Sequence, residues 1–191
     1  IIFYRNPELG KVKTRLAATV GDEKALAIYL HLATHTREAA KLTDSDRWVF
    51  YSDHVDTEDA WENSRFEKKL QRGDDLGERM KNAFAAGFEH GYDKICIIGT
   101  DCLELSDHIL HDAFIQLQQN DVVIGPAHDG GYYLLGMKAL HTSFFENKRW
   151  SSDSVFRDTL LNSAVLGLST AVLKTLRDVD EWHDLPNDFI I

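Results

Sequence analysis

Hydrophobic residues follow two patterns along the chain: short continuous runs and longer stretches with helical spacing. Continuous runs of this kind are typical of strands that are buried on both faces of a parallel sheet. The segments that predict strands are 1–5, 48–51, 66–71, 95–98, 121–126, 132–137 and 171–176. The segments that predict helices are one opening at 11–16, then 22–41, 76–88, 107–119, 153–164 and 181–188. This order predicts a three-layer α/β/α fold with a mostly parallel, mixed sheet, in a single domain over residues 1–191.

The strongest candidate for chemistry directly follows the most apolar of these runs. Ile95–Ile98 is followed by Gly99, Thr100 and Asp101, which places a carboxylate at the carboxyl edge of the sheet, where open α/β folds bind ligands. Such an acid can hold a hard divalent cation, and the cation can hold a diphosphate. Alternatively, Asp101 caps the helix that follows, and the local pattern fits both interpretations about equally.

A second candidate site is basic and follows the first strand. A loop with Pro7 and Gly10 leads into a helix that we predict to open at Lys11, with Lys13 and Arg15 in its first turns. Helix N-terminal amides and basic side chains together favour phosphate. The alternative is a solvated helix face, but lysine at a helix start opposes the macrodipole and so favours a nearby anion. A P-loop is excluded because its first Gly and the Ser/Thr after Lys are absent.

Two glycine-containing loops are also candidates. In 73–80, Asp74 or Asp75 can cap the next helix, and Gly77 in its first turn costs about 1 kcal/mol relative to Ala. This cost indicates close approach by a ligand or another backbone, although tight packing explains it equally well. In 127–131, Gly130 and its neighbouring glycine follow Asp129, which fits a ligand site or a tight hairpin. The extended run 126–136 favours the site.

Composition narrows the class of protein. Hydrophobic residues make up 43% and charged residues 27% of the chain, as in globular proteins. The net charge of −10 argues against nucleic acid as the main partner. No apolar run approaches the roughly 20 residues of a membrane span. The two cysteines, Cys96 and Cys102, form no metal-ligand pattern, and we expect them to be reduced in a cytoplasmic protein. Residues 1–4 resemble a strand interior and Met is absent, so we expect native residues before them.

Five motifs in order carry a resemblance to a known family: NPELGKVKTRLA, GDDLGERM, GTDCLEL, GPAHDGGYYLLG and RDVDEWHDL. Together they resemble the bacterial glycosyltransferase-like family that is related to 2-phospho-L-lactate guanylyltransferase and associated with radical-SAM gene neighbourhoods and arsenosugar biosynthesis. The resemblance implies the GT-A, nucleotide-diphospho-sugar transferase fold. The family commonly reads Thr-Asp-Ser-Pro where this chain has Thr100 to Leu103, so the loop after Asp101 departs from the pattern.

The resemblance also implies roles for individual residues. Nucleotide-binding positions would be Pro7, Lys13, Arg15, Gly73, Asp75, Leu76, Gly77 and Thr100, with Lys13 and Arg15 on the phosphates. Positions facing the acceptor or sugar would be Asp129, Gly130, Gly131 and Tyr132. Asp101 would bind Mg²⁺ or Mn²⁺, with Asp180 as second ligand and Asp178 as its alternative. Catalysis would then rest on Asp101, Asp129, Lys13 and Arg15.

Three functions remain open at this point. The first is a glycosyltransferase that uses a nucleoside diphosphate sugar and a small-molecule acceptor. The second is a nucleotidyltransferase that acts on a small phosphorylated acid. The third is a domain that binds a nucleotide without turning it over. We favour the first because the candidate loops carry few basic groups for a triphosphate. The sequence leaves the oligomeric state open.

Overall fold

The fold is built on one mixed sheet flanked by helices. The computed structural model describes residues 1–189. Its strands are β1 (Ile2–Tyr4), β2 (Trp48–Tyr51), β3 (Glu67–Leu70), β4 (Ile95–Ile98), β5 (Val122–Pro126), β6 (Tyr132–Met137) and β7 (Thr170–Val172). Its α-helices are α1 (Thr14–Val20), α2 (Asp22–Lys41), α3 (Leu76–Glu89), α4 (Asp107–Gln119) and α5 (Val155–Val165). Short 3₁₀ turns cover Thr142–Phe144 and Trp182–Asp184.

The strands lie in the order β3-β2-β1-β4-β6-β5-β7. β1 pairs in parallel with β2 and β4, and β2 pairs in parallel with β3. β6 runs antiparallel to both β4 and β5, whereas β7 pairs in parallel with β5. The predicted mostly parallel, mixed sheet is confirmed, and the antiparallel element is β6. As a result, the carboxyl ends of β1 to β4 share one edge.

The sheet is buried on both faces, as the continuous apolar runs predicted. Ile95 and Ile97 pack in a cluster with Phe84 of α3, while Cys96 and Ile98 pack with residues of α4 on the opposite side. Successive side chains of a strand point to opposite faces, so β4 contributes to both layers of core. Three layers result, with α3 and α4 on opposite faces of the sheet.

Several predicted boundaries hold, and three do not. The helix over 22–41 and the strands over 48–51, 95–98 and 132–137 have the predicted bounds. The first helix was predicted to open at Lys11 but begins at Thr14, because Lys13 adopts φ +48° in the left-handed region and cannot continue a helix.

The two C-terminal errors have local causes. The last strand was predicted over 171–176 but ends at Val172, and the Lys174 carbonyl accepts from the Tyr133 hydroxyl (3.0 Å) rather than joining a strand. The helix predicted over 181–188 is only one 3₁₀ turn. Its Asp184 carboxylate accepts from the backbone amides of Asp180 and Glu181 (3.1 and 2.9 Å), and Pro186 has no amide to extend a helix.

Two further expectations concern the cysteines and the membrane. Cys96 and Cys102 are free and buried, and burial raises the pKa of each thiol to about 12. Within residues 1–189, none of the helices combines the length and the apolar character that a bilayer span requires.

Candidate functional site

A pocket of about 600 Å³ opens at the carboxyl edge of the parallel strands. Arg5 follows β1, Ser52 follows β2, Gln71 follows β3 and Gly99 follows β4, and all four line it. Because parallel strands end together at this edge, each strand delivers the residue after it to the same space. The sheet topology therefore assembles the pocket from segments that are distant in sequence.

The centre of the pocket is an ion-paired cluster. Lys13 Nζ lies 2.9 Å from Asp101 Oδ1 and 3.1 Å from Asp180 Oδ1, and its side chain is only 6% exposed. Arg15 Nη1 lies 3.4 Å from Asp180 Oδ2. Burial alone would lower the pKa of Lys13, but the two carboxylates outweigh this and raise it, so the side chain is charged. The predicted phosphate-binding and metal-binding residues thus contact one another directly.

Backbone contacts fix the loops that carry this cluster. The Val179 amide donates to the Asp101 carbonyl (2.8 Å), which ties the loop after β4 to the segment around 178–180. The Tyr29 hydroxyl accepts from the Arg5 amide (3.0 Å) and donates to the Arg5 carbonyl (2.6 Å), which fixes the loop after β1. Lys13 holds a left-handed conformation at the N-cap of α1, which side chains other than Gly rarely adopt. Its two ion pairs hold it there.

The cluster carries more negative charge than its lysine balances. Asp178 lines the same pocket, and burial, together with the nearby charges of Asp101 and Asp129, raises its pKa from 3.8 to about 7. Lys13 partly opposes this shift. Carboxylates that crowd in this way bind an added cation favourably, because the cation relieves their mutual repulsion.

The donor chemistry of the cluster fits a hard divalent cation. Asp101 and Asp180 already direct one oxygen each to a single ammonium group, so both can contact one cation. Among residues 1–189, no group of three His, Cys, Asp or Glu side chains is arranged to hold a metal. Mg²⁺ is commonly held by one or two carboxylates, with water and substrate phosphates completing its shell. A two-carboxylate site suits it.

The alternative role of Asp101 as a helix cap is excluded. The N-cap of α4 is Ser106, whose Oγ accepts from the Ile109 amide at 3.4 Å. Asp101 instead bonds Lys13 in the pocket, with 44% of its side chain exposed. Its carboxylate is therefore available to a ligand.

The glycines at 77 and 130 have a packing explanation. Asp75 caps α3 as predicted, with Oδ1 accepting from the Glu78 amide at 2.8 Å. A Cβ at Gly77 would come within 2.5 Å of the Trp150 indole, and a Cβ at Gly130, where φ is +89°, would clash with the backbone of Asp153. Both glycines therefore make room for the segment 149–154.

The predicted site residues divide between the pocket and its surroundings. Those that line the pocket are Lys13, Arg15, Leu76, Thr100, Asp101, Asp129, Gly131, Tyr132 and Asp180. Those that do not line it are Pro7, Gly73, Asp75, Gly77 and Gly130. The Asp129 carboxylate accepts from the Gly131 amide at 2.8 Å, which orders the turn that presents both to the pocket. The roles predicted for the residues outside the pocket stay predictions.

Sequence reasoning missed several residues of the pocket. Arg5, Ser52 and Gln71 each come directly after a parallel strand, so the strand-end rule applied to Asp101 would also have found them. Trp150, Ser151 and Ser152 have no such signal, because they reach the pocket only through contacts with distant loops. Arg79, considered at first only as an additional basic residue, lines the pocket too.

Comparisons with solved structures place the fold in a known group. A protein from Desulfovibrio desulfuricans G20, described provisionally as a nucleotide-diphospho-sugar transferase, is 32% identical, with a TM-score of 0.86 over 94% of this chain and 80% of that one. The CMP:2-keto-3-deoxy-manno-octonic acid synthetase complexed with CTP has a TM-score of 0.56 at 10% identity, over 94% of this chain and 91% of that one. The 2-C-methyl-D-erythritol 4-phosphate cytidylyltransferase of Thermus thermophilus has a TM-score of 0.53 at 10% identity, over 96% and 93%.

The two matches at 10% identity show the fold alone, which is the predicted nucleotide-diphospho-sugar transferase fold. No match was found among curated proteins. A family model described as "Uncharacterized protein conserved in bacteria (DUF2064)" matches residues 34–152, more than half of the chain. Together with the 32% identical structure, this match shows that the chain belongs to the DUF2064 family.

Proposed function

We propose that the protein is a metal-dependent transferase that uses a nucleoside diphosphate sugar as donor and a small hydroxyl compound as acceptor. The observation that carries the proposal is the cluster of Lys13, Asp101 and Asp180, with Arg15 beside it, in a pocket at the strand ends. The description of the 32% identical relative as a nucleotide-diphospho-sugar transferase supports the same class of donor.

The basic side chains of the pocket would bind the diphosphate. In the absence of ligand, Lys13 and Arg15 are held by carboxylates. A divalent cation bound to Asp101 and Asp180 would supply charge neutralisation for the departing diphosphate. Lys13 and Arg15 would then exchange carboxylate oxygens for phosphate oxygens, and such charge-assisted contacts are the stronger class of hydrogen bond.

Asp129 would act on the acceptor. Its carboxylate lies on the pocket wall and is exposed, and the Gly131 amide holds it in position. In the transfer step, the acceptor hydroxyl gives its proton to Asp129 and its oxygen bonds to the anomeric carbon. The bond from that carbon to the phosphate oxygen breaks, and the nucleoside diphosphate leaves with the bonding electrons. A carboxylate is a competent proton acceptor for this step near neutral pH.

Nucleotidyl transfer is the second candidate, and one observation favours it. Arg5 and Arg79 line the pocket together with Lys13 and Arg15, so four cationic side chains are available, more than the sequence alone indicated. Sites that cleave a triphosphate collect several cations around the phosphates. A close relation to 2-phospho-L-lactate guanylyltransferase, and with it a phosphorylated acid as acceptor, stays a prediction.

Product analysis separates these functions. The protein is incubated with Mn²⁺ and either a panel of nucleotide sugars or the four nucleoside triphosphates, with and without mixed sugar and phosphorylated-acid acceptors. Release of nucleoside diphosphate from one sugar nucleotide, lost in Asp129→Asn, is the expected result. Pyrophosphate release from a triphosphate would establish nucleotidyl transfer instead. Tight binding with no product from either panel would identify a nucleotide-binding domain without turnover.

A further inference from the structure

One segment of the pocket wall belongs to none of the predicted motifs. Residues 149–154, which we call the strap, run between β6 and α5 and contribute Trp150, Ser151 and Ser152 to the pocket. The strap packs on Gly77 through the Trp150 indole and on Gly130 through the backbone of Asp153. It therefore connects the loop before α3 with the loop between β5 and β6.

The strap is held in one conformation by its own hydrogen bonds. The Ser152 hydroxyl donates to the Arg149 carbonyl (2.7 Å) and lies 3.1 Å from the Ser154 hydroxyl, which in turn donates to Asp158 (2.7 Å). Ser151 between them has φ +59°, an uncommon conformation for serine. Uncommon backbone conformations that the surroundings maintain are concentrated at ligand sites.

The side chains around Trp150 divide the pocket into two chemically different ends. Lys13, Asp101 and Asp180 form the charged end, where phosphates would bind. Near the strap the lining is apolar and aromatic, with Leu76, Met80, Tyr132 and Trp150. The Tyr132 hydroxyl lies 3.9 Å from Met80 Sδ, a weak acceptor, which leaves its polar group available to a ligand.

We infer that Trp150 is a specificity-determining residue, whose indole supports the sugar ring of the donor while Asp129 and the strap hydroxyls select its hydroxyl groups. A sugar ring has an apolar C–H face that packs on an aromatic side chain, and hydroxyls around its edge that need polar partners. The pocket offers both within one wall, because Asp129, Ser151 and Ser152 lie in the same lining as Trp150 and Tyr132. A nucleobase would not need the carboxylate and hydroxyls in combination.

The inference rests on the proposed donor class, so the test compares each sugar nucleotide with its own nucleoside diphosphate. UDP-glucose, UDP-galactose, GDP-mannose and ADP-glucose are titrated with Mn²⁺ by calorimetry, each beside UDP, GDP or ADP. The variants are Trp150→Ala, Trp150→Phe and the control Arg149→Ala, an exposed strap side chain that does not line the pocket. Thermal melts of each variant report whether the fold is retained.

For the preferred sugar nucleotide we expect Trp150→Ala to weaken binding on the order of tenfold, as for loss of an aromatic stacking platform. Affinity for the matching nucleoside diphosphate should change less than about twofold. Trp150→Phe should recover most of the loss, and Arg149→Ala should match the wild type.

Equal loss for sugar nucleotide and diphosphate in Trp150→Ala, or no loss for either, would overturn the inference while leaving the proposed function in place. The same holds if the wild type binds both kinds of ligand equally. If the wild type binds none of these nucleotides, the proposed donor class and the inference both fail. The two failures are therefore distinguishable.

Discussion

Replacing Asp178 by Asn should stabilise the ligand-free protein, and more so at higher pH. The pKa of this carboxyl is raised from 3.8 to about 7, first by burial and then by Asp101 and Asp129. Between these two pH values the native state binds more protons than the unfolded state, so the free energy of unfolding falls as pH rises. The cost is absent well below pH 3.8, grows across the interval and is complete above pH 7.

The expected size follows from the shift. A displacement of three units, from 3.8 to about 7, corresponds to an upper limit of roughly 4 kcal/mol at about 1.4 kcal/mol per unit. Because Asp178 is partly exposed, solvent screening reduces this, and we expect Asp178→Asn to raise the free energy of unfolding on the order of 2 kcal/mol at pH 8. At pH 5 the gain should be less than half as large.

Urea denaturation of the metal-free protein at pH 5 and pH 8 measures both values. Asp93→Asn is the matched control, since it removes the same charge from a side chain that is 89% exposed. It should change stability by less than about 0.5 kcal/mol at either pH. A gain for Asp178→Asn that is the same at both pH values, or that Asp93→Asn reproduces, would refute the argument that crowded carboxylates destabilise the empty site.

Two further substitutions test the assigned roles. Lys13→Ala and Arg15→Ala should each weaken nucleotide binding by about 1.5–3 kcal/mol, the value of a charge-assisted contact, whereas Lys11→Ala, whose side chain is 71% exposed and pairs only with Glu8, should bind like the wild type; calorimetry decides, and a change below twofold for Lys13→Ala would favour a purely structural ion pair. Asp129→Asn should lower kcat at least about a hundredfold, as for loss of a general base, with donor affinity nearly unchanged; equal loss of donor affinity would place Asp129 among the donor contacts instead.

The sequence predicted the scaffold well because the scaffold depends on local pattern. Ile95–Ile98 is apolar on both faces, and it lies in the sheet as predicted, with Asp101 at its carboxyl edge. The helix over 22–41 likewise has the predicted bounds. In these segments hydrophobic periodicity and end signals agree, and tertiary contacts only reinforce them.

The details of the site depend on contacts that no local pattern contains. Lys13 and Asp180 are 167 residues apart, yet they form an ion pair. The glycines at 77 and 130 indicated close approach correctly, but the approaching group is the strap, which packs on both. From sequence alone, a ligand and a distant backbone segment are equivalent explanations of such a glycine.

The most direct test of the proposal is Mn²⁺-dependent nucleotide binding to the wild type and to Asp101→Asn. Calorimetry with the preferred sugar nucleotide, with Mn²⁺ and with EDTA, isolates the part of the affinity that needs the metal. If Asp101 and Asp180 hold a cation that holds the diphosphate, Mn²⁺ should tighten wild-type binding at least about tenfold. Asp101→Asn should lose that gain while melting as a folded protein. An undiminished Mn²⁺ effect in Asp101→Asn, or no Mn²⁺ effect in the wild type, would contradict the account.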